Sequence, residues 1–380
     1  MIEQNILLWA VQRASETIDA LSKKLQVKEE KITSWLNGED KPTFKQAQKL
    51  AKTLQIPFGY LFLPEVPEEK LPLPDLRTIK DKPTYHISPI FKELLYDLDR
   101  KQRWYKEYIL ENGAEPLPFI GKFSIQTPKK VIVADIKHRL QWDKNFNKST
   151  KDNYISSISS SAEKLGILVM RSSYLGASTK KSLKVDEFRG LAISDKYAPL
   201  IFVNTADAKS AQIFTLAHEL AHLWIGESGI SDLQMFINFD NKIEKFCNEI
   251  TAELLLPKED FISLWNNSKS IDENCQEISH IYLVSHVMIA KRAYDLRFIS
   301  NEEYSQFYTK QLEEWVSIKQ NKSGGGDYYR TAPIRGSRLF SESVVSATME
   351  GKLLFRDATK LLNITKMSTF KKYAKEIGAI

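Results

Sequence analysis

The chain has 380 residues, 42% of them hydrophobic and 27% charged, with a net charge of +6; this excludes wholesale disorder, and the length calls for two or three domains. The longest apolar runs, such as Leu254-Leu255-Leu256, fall far short of a membrane span, and Glu3 with no basic stretch ahead of an apolar one does not read as a signal peptide. Two cysteines, Cys247 and Cys275, cannot build a disulfide framework, so a reducing, cytoplasmic setting is expected, with no membrane partner.

Residues 1–63 alternate apolar and polar positions at helical spacing, punctuated by Asn37-Gly38, Pro42-Thr43 and Ile56-Pro57. From Pro64 to Pro89 six prolines block regular structure, and an extended linker is expected. A helix follows from Pro89 to about Asn112, its apolar positions Phe91, Leu94, Leu95, Leu98 and Tyr105 interleaved with charges.

Residues 115–300 are mixed. A helix ends near Lys164, Gly166 to Met170 reads as a short buried strand, and Arg189 to Ser194 and Leu200 to Val203 as two more. Two helices are then expected, from about Ser210 to Ile225 and from Asn241 to Leu256, the second stopped by Pro257. The last region, 301–380, holds Gly324-Gly325-Gly326, read as a flexible hinge. From Asn321 onward it carries 11 Lys/Arg against 5 Asp/Glu, a basic balance that usually marks a solvated face.

The helix expected around residue 218 contains His218-Glu219-Leu220-Ala221-His222. At about 100° per residue, histidines four apart stand above one another on one face, where two imidazoles can chelate one zinc ion. Zinc lowers the pKa of a bound water, and Glu219 can take that proton and deliver it to a leaving amine. Apolar neighbours Phe214, Leu216, Leu220 and Trp224 make the helix a core helix, which suits a structural histidine pair as well as a metal site.

Two histidines leave zinc short of its usual three protein ligands. The next helix offers Glu244, Glu249 and Glu253. Glu244 shares a face with Asn248, and the other two carboxylates are rotated about 140° and 180° away. Geometry alone does not choose among them. Cys247 reads as a small packing residue, and His280 and His286, six apart, as structural.

Gly166-Ile167-Leu168-Val169, Phe188-Arg189-Gly190, Pro199 to Asn204, Phe214 to His222, Glu244 to Asn248, Leu255-Leu256-Pro257 and Val284-Ser285 together resemble the ImmA/IrrE family of metallo-endopeptidases. That resemblance implies an α+β, zincin-like peptidase domain over residues 115–300, with Glu219 catalytic. It implies His218, His222 and Glu244 as ligands of Zn2+, replaceable by Mn2+ in vitro, and places the third ligand at the Glu of an E-x-x-[AC]-N pattern. Cys247 stands where alanine is commoner. The implied substrate is a helix-turn-helix repressor, whose cleavage would switch on phage, mobile-element, defence or stress genes.

Residues 1–63 resemble an XRE-type (lambda-repressor-like) helix-turn-helix domain, with Thr17 to Leu25 as first helix and Val27 to Leu36 as recognition helix. Lys28, Lys31 and Ser34 are its candidate contacts to DNA or to a partner. Glu29 and Glu30 repel phosphate and fit a protein-docking surface equally well. The expected architecture is an all-α helix-turn-helix domain (1–63), a linker and connecting helix (64–114), the peptidase domain (115–300) and a basic helical region (301–380). The alternative is a DNA-binding or antitoxin-like regulator whose peptidase fold binds metal without proteolysis.

Overall fold

The computed structural model describes all residues except 1, 15, 55, 68–87, 143–145, 177, 179–180, 232–241, 320–335, 365–366 and 379–380. Most of the proline-rich stretch and the Gly324-Gly325-Gly326 hinge therefore lie outside the described residues. The chain packs as two units, Met1–Arg100 and Lys101–Ile380. Among the described residues no helix is long and apolar enough to cross a membrane.

The first unit holds α1 (Gln4–Ala14), α2 (Ile18–Leu25), α3 (Glu29–Leu36), α4 (Phe44–Thr53) and a 3₁₀ turn at Phe58–Phe62. Its helix starts are written in its caps. The Thr17 hydroxyl accepts from the Ala20 N–H, and Thr43 and Gln46 form a reciprocal capping box. Between α2 and α3, Gln26 turns left-handed at φ 59° and Lys28 is extended, so α3 begins two residues later than expected. Leu21, Leu25, Ile32, Trp35, Leu50 and Leu54 form this unit's core.

The helix α5 (Pro89–Glu111) leads into the second unit, where α6 (Lys129–Leu140) and α7 (Lys151–Lys164) precede a four-stranded sheet. Its strands are β1 (Leu168–Ser172), β2 (Gly190–Ile193), β3 (Leu200–Asn204) and β4 (Gly229–Ser231), in the order β1-β3-β2-β4. β1 runs parallel to β3, with Met170 opposite Phe202, and the other two pairs are antiparallel. Expected to start at Gly166, β1 starts at Leu168. Gly166, at φ +91°, still closes α7, its N–H donating to the Glu163 carbonyl.

Against β2 and β3 lies α8 (Lys209–Ile225), flanked by α7 and by α9 (Lys242–Leu255). A helix hydrophobic on all sides belongs inside a domain, and α8 is buried at every residue from Gln212 to Ile225. Its C-terminus is held from the segment before α6. Gly121 and Phe123 donate backbone N–H groups to the Leu223 and Trp224 carbonyls at 2.9 and 3.1 Å, and the Trp224 indole donates to Asp135 at 2.8 Å. Gly226 ends the helix at φ +78°, packed so closely on Gly121 that a Cβ there would lie 2.8 Å from the Gly121 Cα. Helices α10 (Lys258–Leu264), α11 (Ile271–Tyr282), α12 (His286–Asp295) and α13 (Asn301–Lys319) complete this part.

The last helices, α14 (Arg338–Met349), α15 (Phe355–Leu361) and α16 (Met367–Glu376), make the end of the chain helical, as expected. Glu163 of α7 caps α14, accepting from the Ser337 hydroxyl and, at 2.8 Å, from the Arg338 N–H. Phe340 meets the Trp104 ring edge-on at 5.6 Å, and Phe340, Val344 and Val345 are fully buried. The described basic residues, such as Lys352, Arg356, Lys371 and Lys375, are exposed on the outside of this packed helical layer.

Candidate metal centre

The site begins with helix geometry. On α8, His218 and His222 are one turn apart, their rings edge-to-face at 4.7 Å, and both are buried. Phe214, one turn earlier, stacks on His218. The packing of α9 on α8 then brings a carboxylate to the pair. The His218 Nε2 lies 3.0 Å from one Glu244 oxygen, the His222 Nε2 lies 3.3 Å from the other, and the two Nε2 atoms are 2.9 Å apart.

These three side chains form a cluster able to hold a metal ion. A tetrahedral ion with bonds of about 2.0–2.1 Å holds its ligand atoms about 3.3 Å apart, so the observed triangle needs only a slight opening. Two imidazoles and one carboxylate are also a donor set that zinc accepts.

The electrostatics suit a cation. Burial opposes ionisation of Glu244, but hydrogen bonds and charge from His218 and His222 overturn this and hold the carboxyl far below its usual range. Complete burial lowers His218, favouring the neutral ring that a metal needs. His222 shifts the other way, well above its usual value: burial acts downward, but Cys247 and Glu244 outweigh it. Because burial keeps Cys247 a thiol, Glu244 is the anion that faces both rings. Asn248 and Cys247 sit beside His218 and His222 respectively, where groups that orient metal-binding imidazoles are usually found.

Glu219 follows His218 on α8 and is fully buried. What gives it room is Gly190, at the start of β2. A Cβ on residue 190 would lie 2.4 Å from the Thr215 methyl, 2.9 Å from a Glu219 oxygen and 3.1 Å from the Phe202 carbonyl. The demand is steric, since both Thr215 and Glu219 are locked in the core. Gly190→Ala is therefore expected to cost about 1–3 kcal/mol, as overpacked cores do, and to push the Glu219 carboxylate aside. A variant with the parent's melting temperature and reactivity would show that this contact is unimportant. On the open side of the cluster, β4 passes close by, and a Cβ on Gly229 would come within 3.4 Å of the His222 ring.

The other two carboxylates are engaged elsewhere. Glu249 is ion-paired with Lys129 of α6, and Glu253 with Arg292 of α12. The residues that sequence reasoning did not single out are Gly190, Thr215 and Asp135. Gly190 was visible only as part of a motif, and Asp135 gave no local signal because its partners Trp224, Lys122 and Arg139 are scattered along the chain. His280 and His286 stay away from the cluster; His286 pairs with Ser279 at 3.2 Å.

In the first unit, Lys28 and Lys31 are exposed on α3, and the Ser34 hydroxyl donates to the Lys31 carbonyl at 3.0 Å. Lys28 and Ser34 share a shallow depression with Glu29, Glu30, Thr33 and Glu39.

Family models match three segments. Residues 162–294 match the IrrE N-terminal-like domain of the M78 peptidases, residues 17–61 a helix-turn-helix, and residues 337–376 a domain of unknown function (DUF8813). No curated protein matches the chain. The first match runs from the end of α7 through α12 and includes all of α8 and α9. The third covers the helical layer that Glu163 caps. An XRE-type helix-turn-helix module thus precedes an ImmA/IrrE-like peptidase domain in this chain.

Proposed function

We propose that this chain, a helix-turn-helix module followed by an IrrE-like peptidase domain, is a zinc-dependent endopeptidase that cleaves a partner transcriptional repressor. The observation that carries the reading is Glu219. A carboxylate buried without exposure is costly, and holding a metal on His218, His222 and Glu244 would not require one at this position. A peptidase does require one, to move the proton of the attacking water.

His218, His222 and Glu244 would hold the ion, with manganese able to replace zinc in vitro. Zinc bound there supplies Lewis acidity, polarising a scissile carbonyl and acidifying a water. Glu219 then accepts the water's proton and passes it to the departing amine, general base first and general acid second. The core around α8 keeps the carboxylate from drifting, and Gly190 leaves the room it occupies. Regulation would follow from the chemistry of the target, since cutting a repressor releases the phage, mobile-element, defence or stress genes it silences.

The front module supplies recognition, of DNA or of the repressor itself. With Glu29 and Glu30 beside Lys28 on α3, weak DNA binding is expected. Lys28→Ala and Lys31→Ala should reduce any DNA affinity and flatten its salt dependence, measured by fluorescence anisotropy across a salt series. If the module docks protein instead, the two variants leave DNA retardation unchanged, and deletion of residues 1–63 abolishes capture of the repressor.

Incubation of the purified chain and zinc or manganese with helix-turn-helix proteins encoded near it tests the whole reading. A single metal-dependent cut in one of them is the expected result. Zinc uptake with no turnover of any candidate would favour a regulator that uses the peptidase fold only for binding.

A further inference from the structure

On the face of α9 turned away from the metal cluster lies an open depression of about 540 Å³ that the proposed reaction does not use. Lys129 at the start of α6 and Lys242 and Lys245 of α9 line it, with Glu249 as the one lining carboxylate among the described residues. Glu249 is already paired with Lys129. Lys242 and Lys245 are exposed, and neither is ion-paired with a described residue. The lysines also crowd one another, Lys129 being held down by burial and by the charge of Lys245. Ile125, Pro128 and Phe246 add an apolar wall, the Lys129 ammonium lying 5.9 Å from the Phe246 ring.

We propose that this depression is an exosite for an acidic segment of the protein substrate. The proposal rests on the peptidase reading and adds to it the chemistry by which the substrate is chosen. Two lysines that no described residue neutralises, beside an apolar wall, suit side chains that alternate carboxylate and hydrocarbon. A DNA duplex presents phosphates alone, which would gain nothing from the apolar wall of Ile125, Pro128 and Phe246 and would be repelled by Glu249. Lys245 directly follows Glu244, so depression and cluster share one helix. Passing half-way round a helix about 10 Å across, a path of about 16 Å, takes about five residues of extended chain. The acidic segment would then lie about five or more residues from the bond cut, far enough for specificity to be set apart from the reacting atoms.

The test uses the full-length chain carrying Glu219→Gln, so that no probe is cut, with and without Lys242→Glu and Lys245→Glu. The probes are a fluorescein-labelled peptide bearing a run of glutamates, its glutamine counterpart, and a short labelled duplex. Expected are preferential binding of the acidic peptide, weakening by added salt, and a loss of about tenfold or more (about 1.4 kcal/mol) on the double charge reversal with zinc content unchanged. Equal binding of the two peptides, equal binding by the two proteins, or tighter lysine-dependent binding of the duplex would overturn the proposal. Failure of the peptidase reading shows separately, as absence of any Glu219-dependent cut by the parent chain. The binding comparison decides the exosite in either case.

Discussion

Glu219→Gln is expected to retain the metal and to lose cleavage by about 10²-fold or more, equivalent to at least about 2.7 kcal/mol of transition-state stabilisation. The amide is the same size, so neither the core around α8 nor the clearance left by Gly190 need change. It carries no charge and cannot take the proton of an attacking water. His218, His222 and Glu244 remain in place, and zinc content measured by elemental analysis should equal that of the parent. The separation of metal content from turnover is what identifies Glu219 as a proton carrier. Parent-like cleavage by Glu219→Gln would remove the proton-transfer role, and loss of zinc would show that the residue supports the metal instead.

How much of this was legible in the residues follows from where the information sits. His218 and His222 are four apart, and helix geometry alone puts them on one face. The cap residues Thr17, Thr43 and Ser270 mark helix starts for the same local reason. The partner of the histidines is a different matter. Glu244, Glu249 and Glu253 are equivalent as residue types, and only the packing of α9 on α8 decides which one faces the rings. The partners that occupy the other two, Lys129 and Arg292, lie in helices with no pattern linking them to α9. The steric role of Gly190 was hidden because Thr215 and Glu219 reach it from another element. The three-residue strand β4 is too short to show any alternation. That the tail is helical was legible, but not what it packs on, because a basic outer face says nothing about the apolar inner face that carries Phe340 and Val344.

The sharpest test of the metal assignment compares carboxylates on one helix. His218→Ala, His222→Ala and Glu244→Ala should each lose most of the bound zinc, since each removes one of three converging donors. Cleavage should fall with the metal. Glu249→Ala and Glu253→Ala serve as controls on the same helix. They break ion pairs to Lys129 and Arg292, so some stability can go while metal content stays near the parent's. Metal content of the five purified variants, read beside their melting temperatures, separates a missing ligand from a weakened fold. Glu244→Ala should show low zinc, with some loss of stability in the metal-free protein as well, because it takes away the anion that His218 and His222 hold ionised. Glu253→Ala should show full zinc and a lower melting temperature, because the Arg292 guanidinium is left buried without its counter-ion. Full zinc in Glu244→Ala together with its loss in Glu249→Ala would mean that α9 presents a different face to the histidines, and the cluster as drawn would be wrong.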